Sequence, residues 1–149
     1  MAGRSYKAAF KVGHGCDGAS TTAIRIQIPA GFTDAKPMPK AGWVLSAQVS
    51  PLAVPYANHG KKVTEDVSAV TWTSASKDNW LPDAYYEEFV MRGGLPETGG
   101  AMWFKVLQTC DKGSIDWSQI PATGTDTKGL KAPAALLEII PSGSAGHQH

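Results

Sequence analysis

Charge, cysteine and long apolar runs are all scarce in this chain of 149 residues. Charged residues make up 18% of it, against about a quarter in typical soluble domains, and the formal net charge is +1. No basic patch interleaves with aromatic residues, so the usual pattern of a nucleic-acid-binding surface is missing. No apolar run approaches the ~20 residues of a membrane-spanning helix. The length predicts one domain with a hydrophobic core of its own.

The chain has only two cysteines, Cys16 and Cys110, and they lie far apart in the sequence. Zinc knuckles and redox pairs need closely spaced cysteines, so both are excluded. In an all-β pattern, one disulfide between strand ends is the simplest use of such a pair; two separate buried thiols are the alternative. A disulfide predicts an oxidising compartment and therefore an exported domain. Residues 1–5 contain no apolar signal-peptide core, so we expect processing, trimming or an internal methionine at this start.

Helical periodicity is lacking as well, and short alternating segments predict β-strands instead. The clearest strand covers residues 21–28, where Ile24, Ile26 and Ile28 alternate with other side chains before Pro29 ends the pattern. Further strands are predicted at 6–12, 43–49, 67–73, 86–92, 102–109, 115–120 and 136–140. About eight short strands at this spacing favour a β-sandwich.

The segments between these strands predict the remaining organisation. Two prolines within residues 36–40 exclude a central strand and indicate an extended edge. Residues 50–66 are polar and are predicted to form a mobile hairpin loop, and residues 79–83 a turn with a short helical turn beside it. The domain is expected to span residues 1–141, followed by a disordered tail of small polar residues at 142–149.

No motif for catalysis is present in the sequence. A Gly-x-Ser-x-Gly elbow is absent, and four histidines in loops and the tail do not make a triad, so we expect no enzyme activity. Cys110 is not followed by the closely spaced histidine and methionine of a blue-copper site.

Isolated metal donors are nevertheless present. His14 and Asp17 lie on a glycine-rich loop that also carries a cysteine, and His147 and His149 end the chain in a pattern suited to loose Cu(II) or Ni(II) binding. The thioether of Met38 would favour Cu(I). Each donor also has a plain structural interpretation: an exposed loop histidine, a disordered tail or a packed methionine.

The five tryptophans raise a separate question. Packing in the core or against strands is the simplest interpretation, and a platform for glycans would need several of them exposed on one face. They are Trp43, Trp72, Trp80, Trp103 and Trp117.

Eight segments in a fixed order carry a resemblance to a known family. They are YKAAFKV at 6–12, HGCDG at 14–18, TTAIRIQIP at 21–29, KPMPKAGW at 36–43, VTW at 70–72, LPDAYYEEF at 81–89, WFKVLQTC at 103–110 and DWSQIP at 116–121. As an ordered set they resemble the YcnI-like family of exported copper-binding domains, over nearly the whole chain. The resemblance implies an all-β, immunoglobulin-like antiparallel β-sandwich without enzyme activity, exported to the periplasm or cell envelope of a bacterium.

The resemblance also implies a copper site at one end of the sandwich. In the family, Cu(II) is held by the α-amine and imidazole of an N-terminal histidine and by a carboxylate in the loop after the first long strand, with a tryptophan nearby. The tryptophan corresponds to Trp117, and the carboxylate loop corresponds to residues 14–17, where His14 or Asp17 replaces the glutamate. The N-terminal histidine is absent, so we expect a short segment carrying it to be missing from the start of this sequence. Residues around Met38 are expected to flank the site.

The function expected from these observations is copper binding in copper homeostasis or copper delivery, with Cu(II) favoured over Cu(I). The expected partners are the copper ion and a copper-trafficking or oxidase-assembly protein, with no nucleic acid and no membrane span. Two alternatives stay open: an interaction module of the cell envelope without a functional metal site, and a glycan-binding module.

Overall fold

The computed structural model describes residues 4–139, which form nine β-strands and one short 3-10 turn. The strands, numbered in chain order, are β1 Ser5–Val12, β2 Thr21–Gln27, β3 Thr33–Pro37, β4 Trp43–Asn58, β5 Lys61–Ser74, β6 Glu87–Gly94, β7 Gly100–Cys110, β8 Ser114–Trp117 and β9 Ala135–Ile139. The 3-10 turn spans Lys77–Asn79, beside the turn that the sequence predicts. No helix within residues 4–139 has the length and apolarity needed to cross a membrane.

The strands pair into two antiparallel sheets. The smaller sheet has the order β1-β6-β3, and the larger has the order β4-β5-β2-β7-β8. Strand β9 pairs with the first half of β7, while β8 pairs with the second half of the same edge. The predicted β-sandwich is therefore confirmed, with nine strands rather than about eight.

The core lies between the two sheets and is built from alternate residues of the strands. Ile24 and Ile26 of β2 are fully buried, as their alternation predicts. Trp72 of β5 is fully buried too, with its ring 5.5 Å from that of Phe89 in β6. The indole Nε1 of Trp72 donates to the carbonyl of Met38 at 3.1 Å, which satisfies the one polar atom of that side chain. Each large apolar side chain buried in this way contributes about 1.5–3 kcal/mol.

The prediction of a loop over residues 50–66 is wrong, because β4 and β5 continue through this segment as a long hairpin. They meet at His59 and Gly60, whose φ values of 52° and 80° suit a two-residue hairpin turn. Near its end, the Tyr56 hydroxyl donates to Asp66 at 2.8 Å across the pair. Most side chains of this hairpin are exposed, apolar Val54 among them, so the segment lacks the buried alternation that marks a core strand in the sequence.

The predicted disulfide is present and fixes one end of the sandwich. Cys16 and Cys110 are bonded, with their Cα atoms 6.1 Å apart, so the loop between β1 and β2 is tied to the end of β7. Within that loop, Cys16 and Ala19 exchange two backbone hydrogen bonds of 3.2 and 2.9 Å. A third, from the N–H of Asp111 to the carbonyl of Ser20 at 2.8 Å, holds the loop against the chain just after β7.

Candidate functional site

A groove of about 430 Å³ opens between the two sheets, where the edge of β1 faces β9. Strand β1 forms most of one wall, which continues through Gly13 to His14. The other wall comes from β9, from β7 and from Trp117 at the end of β8. Most of the lining is apolar, and the imidazole of His14 stands at one end of it.

His14 follows β1 directly, and its side chain is exposed. Its ring lies 6.1 Å from that of Trp117, centroid to centroid, with the two planes inclined by 60°. Its Nδ1 lies 3.0 Å from the carbonyl oxygen of Gly15. Because a carbonyl can only accept, this hydrogen bond assigns the proton to Nδ1 and leaves the lone pair on Nε2. The imidazole is thus oriented by the loop backbone with one nitrogen available as a donor to a metal.

Gln108 of β7 connects the parts of this end of the groove. Its amide Nε2 donates to the carbonyl of His14 and to the hydroxyl of Thr21, both at 2.8 Å. Its Oε1 accepts from the indole Nε1 of Trp117 at 3.0 Å. Gln108 is only 2% exposed, so these bonds satisfy a buried amide and hold His14 and Trp117 in fixed relation.

Gly15 is required by the tight turn that carries His14. A Cβ at this position would lie 1.7 Å from the carbonyl oxygen of Ala19, which no other residue can accommodate without moving the backbone. The N–H of Gly15 also donates to the Asp83 carboxylate at 2.7 Å. The loop is therefore held on both sides of Cys16: by Asp83 at Gly15, and by the N–H of Asp111 at the carbonyl of Ser20.

The other predicted donors lie apart from His14. Asp17 is exposed, with φ of 48°, and it lines a different cavity beside Asp111 and Lys112. Met38 is 52% exposed and lies beyond β3, separated from β1 by β6, so it does not flank the groove.

The two tail histidines, His147 and His149, fall outside the described residues. Within residues 4–139, no three histidine, cysteine, aspartate or glutamate side chains come close enough together to hold a metal ion. In that part of the chain, the site offers one oriented imidazole beside an indole, and a bound metal would need further donors.

Gln108 was not singled out by the sequence reasoning, although a signal for it exists. Met102, Phe104 and Cys110 point to the same face of β7 as Gln108, because side chains alternate along a strand, and all three are buried. A glutamine at an inward position of such a strand must find buried partners, which marks it as part of a polar network. The sequence alone does not say which groups those partners are.

All five tryptophans are at least half-buried. Trp72 is fully buried and the remaining four are half-buried, so none of the five belongs to the exposed side chains. A glycan-binding platform would need several exposed on one face, so their burial gives that alternative no support.

Three comparisons with known proteins place the chain among its relatives. The model of a family described as "Domain of unknown function (DUF1775)" matches residues 1–139. A crystal structure of an uncharacterized protein from Nocardia farcinica, described as revealing an immunoglobulin-like fold, is similar with a TM-score of 0.68 and 23% sequence identity, covering 93% of this chain and 90% of that one. The match confirms the immunoglobulin-like fold that the resemblance implies. No curated protein matches the chain.

Proposed function

The chain belongs to the DUF1775 family, which is the YcnI-like family of the sequence resemblance, and we propose that it is an exported copper-binding protein acting in copper homeostasis or delivery. The observation that carries this proposal is the oriented imidazole of His14, next to Trp117 at the end of the groove. The disulfide supports export, since such bonds persist in oxidising compartments such as the periplasm. No enzyme activity and no nucleic-acid partner are part of the proposal.

The chemistry of this end of the groove suits copper. Imidazole nitrogen is a good ligand for Cu(II), and a metal-binding histidine usually donates its other N–H to a carbonyl or carboxylate. His14 has that arrangement, because its Nδ1 is engaged by the carbonyl of Gly15. The indole of Trp117, held through its Nε1 by Gln108, lies where it can shield a bound ion.

Copper needs donors beyond a single imidazole. Asp17 lies three residues further along the same loop but lines a different cavity, and His147 and His149, weaker candidates from the sequence, lie outside the described residues. The proposal therefore rests on the imidazole of His14, with Asp17 and the two tail histidines as candidates for the further donors. These nitrogen and oxygen donors favour Cu(II) over Cu(I). Met38, the soft donor that would favour Cu(I), is too far from β1 to join them. The proposed partner is a copper-trafficking or oxidase-assembly protein.

The test is a Cu(II) titration followed by tryptophan fluorescence, with His14→Ala as the variant and His59→Ala as the matched control. His59 lies at the hairpin turn between β4 and β5 and is exposed, so its replacement removes an imidazole without touching the groove. We expect His14→Ala to weaken binding at least about tenfold, and to abolish quenching of Trp117, while His59→Ala changes neither. Equal affinities for His14→Ala and the unchanged chain would contradict the proposal.

An interaction module without a functional metal site is the second candidate. The groove favours it, because an open apolar channel along a strand edge is a feature of peptide-binding domains. The same titration separates the two: saturable Cu(II) binding that depends on His14 supports the first, and its absence leaves the second.

A further inference from the structure

Among the strands of residues 4–139, none pairs with the second hydrogen-bonding edge of β1. Within that range, β1 pairs with β6 alone. The N–H of Leu95 donates to the carbonyl of Arg4, so the even-numbered residues of β1 direct their backbone groups toward β6. In an antiparallel pair, the N–H and C=O groups of Lys7, Ala9 and Lys11 then point the other way, away from β6, and Ala9 and Lys11 line the groove.

This edge is regular, unlike the edges formed by β3 and β4, and it is longer than the regular edge strands β8 and β9, which have four and five residues. Strand β4 carries Pro51 and Pro55 and two register shifts, and β3 ends at Pro37 and has a register shift of its own. Proline and bulges are common devices that stop an edge from pairing with another chain. Strand β1 has neither, and its register with β6 is unbroken over eight residues.

The groove beside this edge fits the inner face of an added strand. Its floor and far wall include Phe104 and Val106 of β7 and Ala135 and Leu137 of β9, all apolar. An extended segment lying there would pair with β1 and direct every second side chain onto these residues. It would also cover the opening between the two sheets.

The outer face of the same region is cationic. Lys7 lies directly opposite Arg92 of β6, and Arg92 lies directly opposite Lys36 of β3, so three positive charges form one row across the smaller sheet. Like charges placed opposite each other destabilise a sheet. Lys11 lies further along β1, directly opposite Glu88 of β6, so the unbalanced positive charge is the row of Lys7, Arg92 and Lys36. The salt bridge found within residues 4–139 involves none of these three.

We propose that the groove binds an extended segment of a partner protein in which apolar residues alternate with acidic ones. The apolar residues enter the groove, and the acidic residues lie outward beside Lys7 and Lys11. A second copy of β1 is a poor occupant, because its own lysines would face these. The proposal does not depend on copper, although the occupied groove ends beside His14.

Two blocked ten-residue peptides test this, one alternating valine with glutamate and one alternating valine with lysine. Fluorescently labelled, each is titrated with the whole chain at low salt. We expect the glutamate peptide to bind roughly tenfold or more tightly than the lysine peptide, a difference of about 1.4 kcal/mol. Hydrogen exchange provides an internal control: the amides of Lys7, Ala9 and Lys11 gain protection, while the even-numbered amides already bonded to β6 do not change.

Two variants locate the binding. Ala9→Pro removes an N–H that points into the groove rather than toward β6, and it is expected to abolish binding while the chain stays folded. Lys7→Glu combined with Lys11→Glu is expected to reverse the preference between the peptides. Its matched control is Lys61→Glu with Lys62→Glu, the same charge change at the start of β5.

Specific outcomes overturn the proposal. Equal affinity for both peptides removes the charge argument, and unchanged binding by Ala9→Pro removes the strand pairing. Protection of the β1 amides in a dimer without peptide assigns the groove to a second copy instead. Peptide affinity should be the same in metal-free buffer containing EDTA, so the copper proposal and this one can fail separately.

Discussion

Replacing Gln108 with leucine removes the amide that connects His14, Thr21 and Trp117 while keeping a side chain of similar size. Three groups lose a partner: the carbonyl of His14, the hydroxyl of Thr21 and the indole Nε1 of Trp117. Thr21 is fully buried, so water cannot replace the lost bond there. His14 is exposed, and its carbonyl can be hydrated more easily.

The expected cost follows from these environments. A buried polar group left without a partner costs about 1–3 kcal/mol. Thr21 and the half-buried Trp117 carry most of the loss, which gives about 3 kcal/mol in the free energy of unfolding. For a domain of this length, that corresponds to a fall in Tm of roughly 10 °C.

Chemical denaturation followed by tryptophan fluorescence measures this cost. The matched control is Gln27→Leu. Gln27 is exposed on β2, so this substitution makes the same chemical change at a position that faces solvent. We expect the control to change stability by no more than about 0.5 kcal/mol. If Gln108→Leu is as mild as the control, the hydrogen bonds of Gln108 do not hold this end of the sandwich together, and the reasoning is refuted.

Three further predictions concern other parts of the fold. Replacing both Cys16 and Cys110 with alanine should lower the free energy of unfolding by up to about 4–5 kcal/mol, measured by denaturation, and a loss below about 1 kcal/mol would refute the loop-closure argument. Gly15→Ala should cost roughly 1–3 kcal/mol in the same assay because its Cβ meets a backbone carbonyl; an unchanged midpoint would show that the turn can relax. Burial, and then the hydrogen bond to Asp66, raise the pKa of Tyr56 to about 12, so its neutral form stabilises the fold below about pH 10 and this contribution is lost as the pH rises toward 12. Absorbance of the phenolate should show one tyrosine ionising near pH 12 that titrates earlier in Asp66→Asn, and a titration curve unchanged in that variant would contradict this.

Much of the fold could be predicted because it depends on local alternation. Ile24 and Ile26 mark β2 without ambiguity, and each is fully buried in the structure. The disulfide followed from two cysteines placed at the ends of predicted strands. The segment at 50–66 was misassigned because it contains Pro51, Pro55 and a run of charged residues after Gly60, whereas its strands are held by pairing across a hairpin that turns at His59 and Gly60.

The candidate site was predicted less completely. The proximity of His14 and Trp117 agrees with the residues that the family resemblance singles out. Asp17 belongs to the same loop, but a turn with positive φ at Asp17 and Gly18 places it beside another cavity. Gln108 acts through contacts between residues distant in sequence, and no local pattern identifies such partners.

The copper claim is tested most directly by pulsed EPR on the Cu(II)-loaded chain, because this measurement identifies a coordinated imidazole by its nitrogen signals. The chain has four histidines, so a set of alanine variants at His14, His59, His147 and His149 assigns the signals completely. The account predicts that imidazole signals persist in His59→Ala and that the His14 contribution disappears in His14→Ala. Signals that are unchanged in His14→Ala would contradict a copper site at the end of the groove.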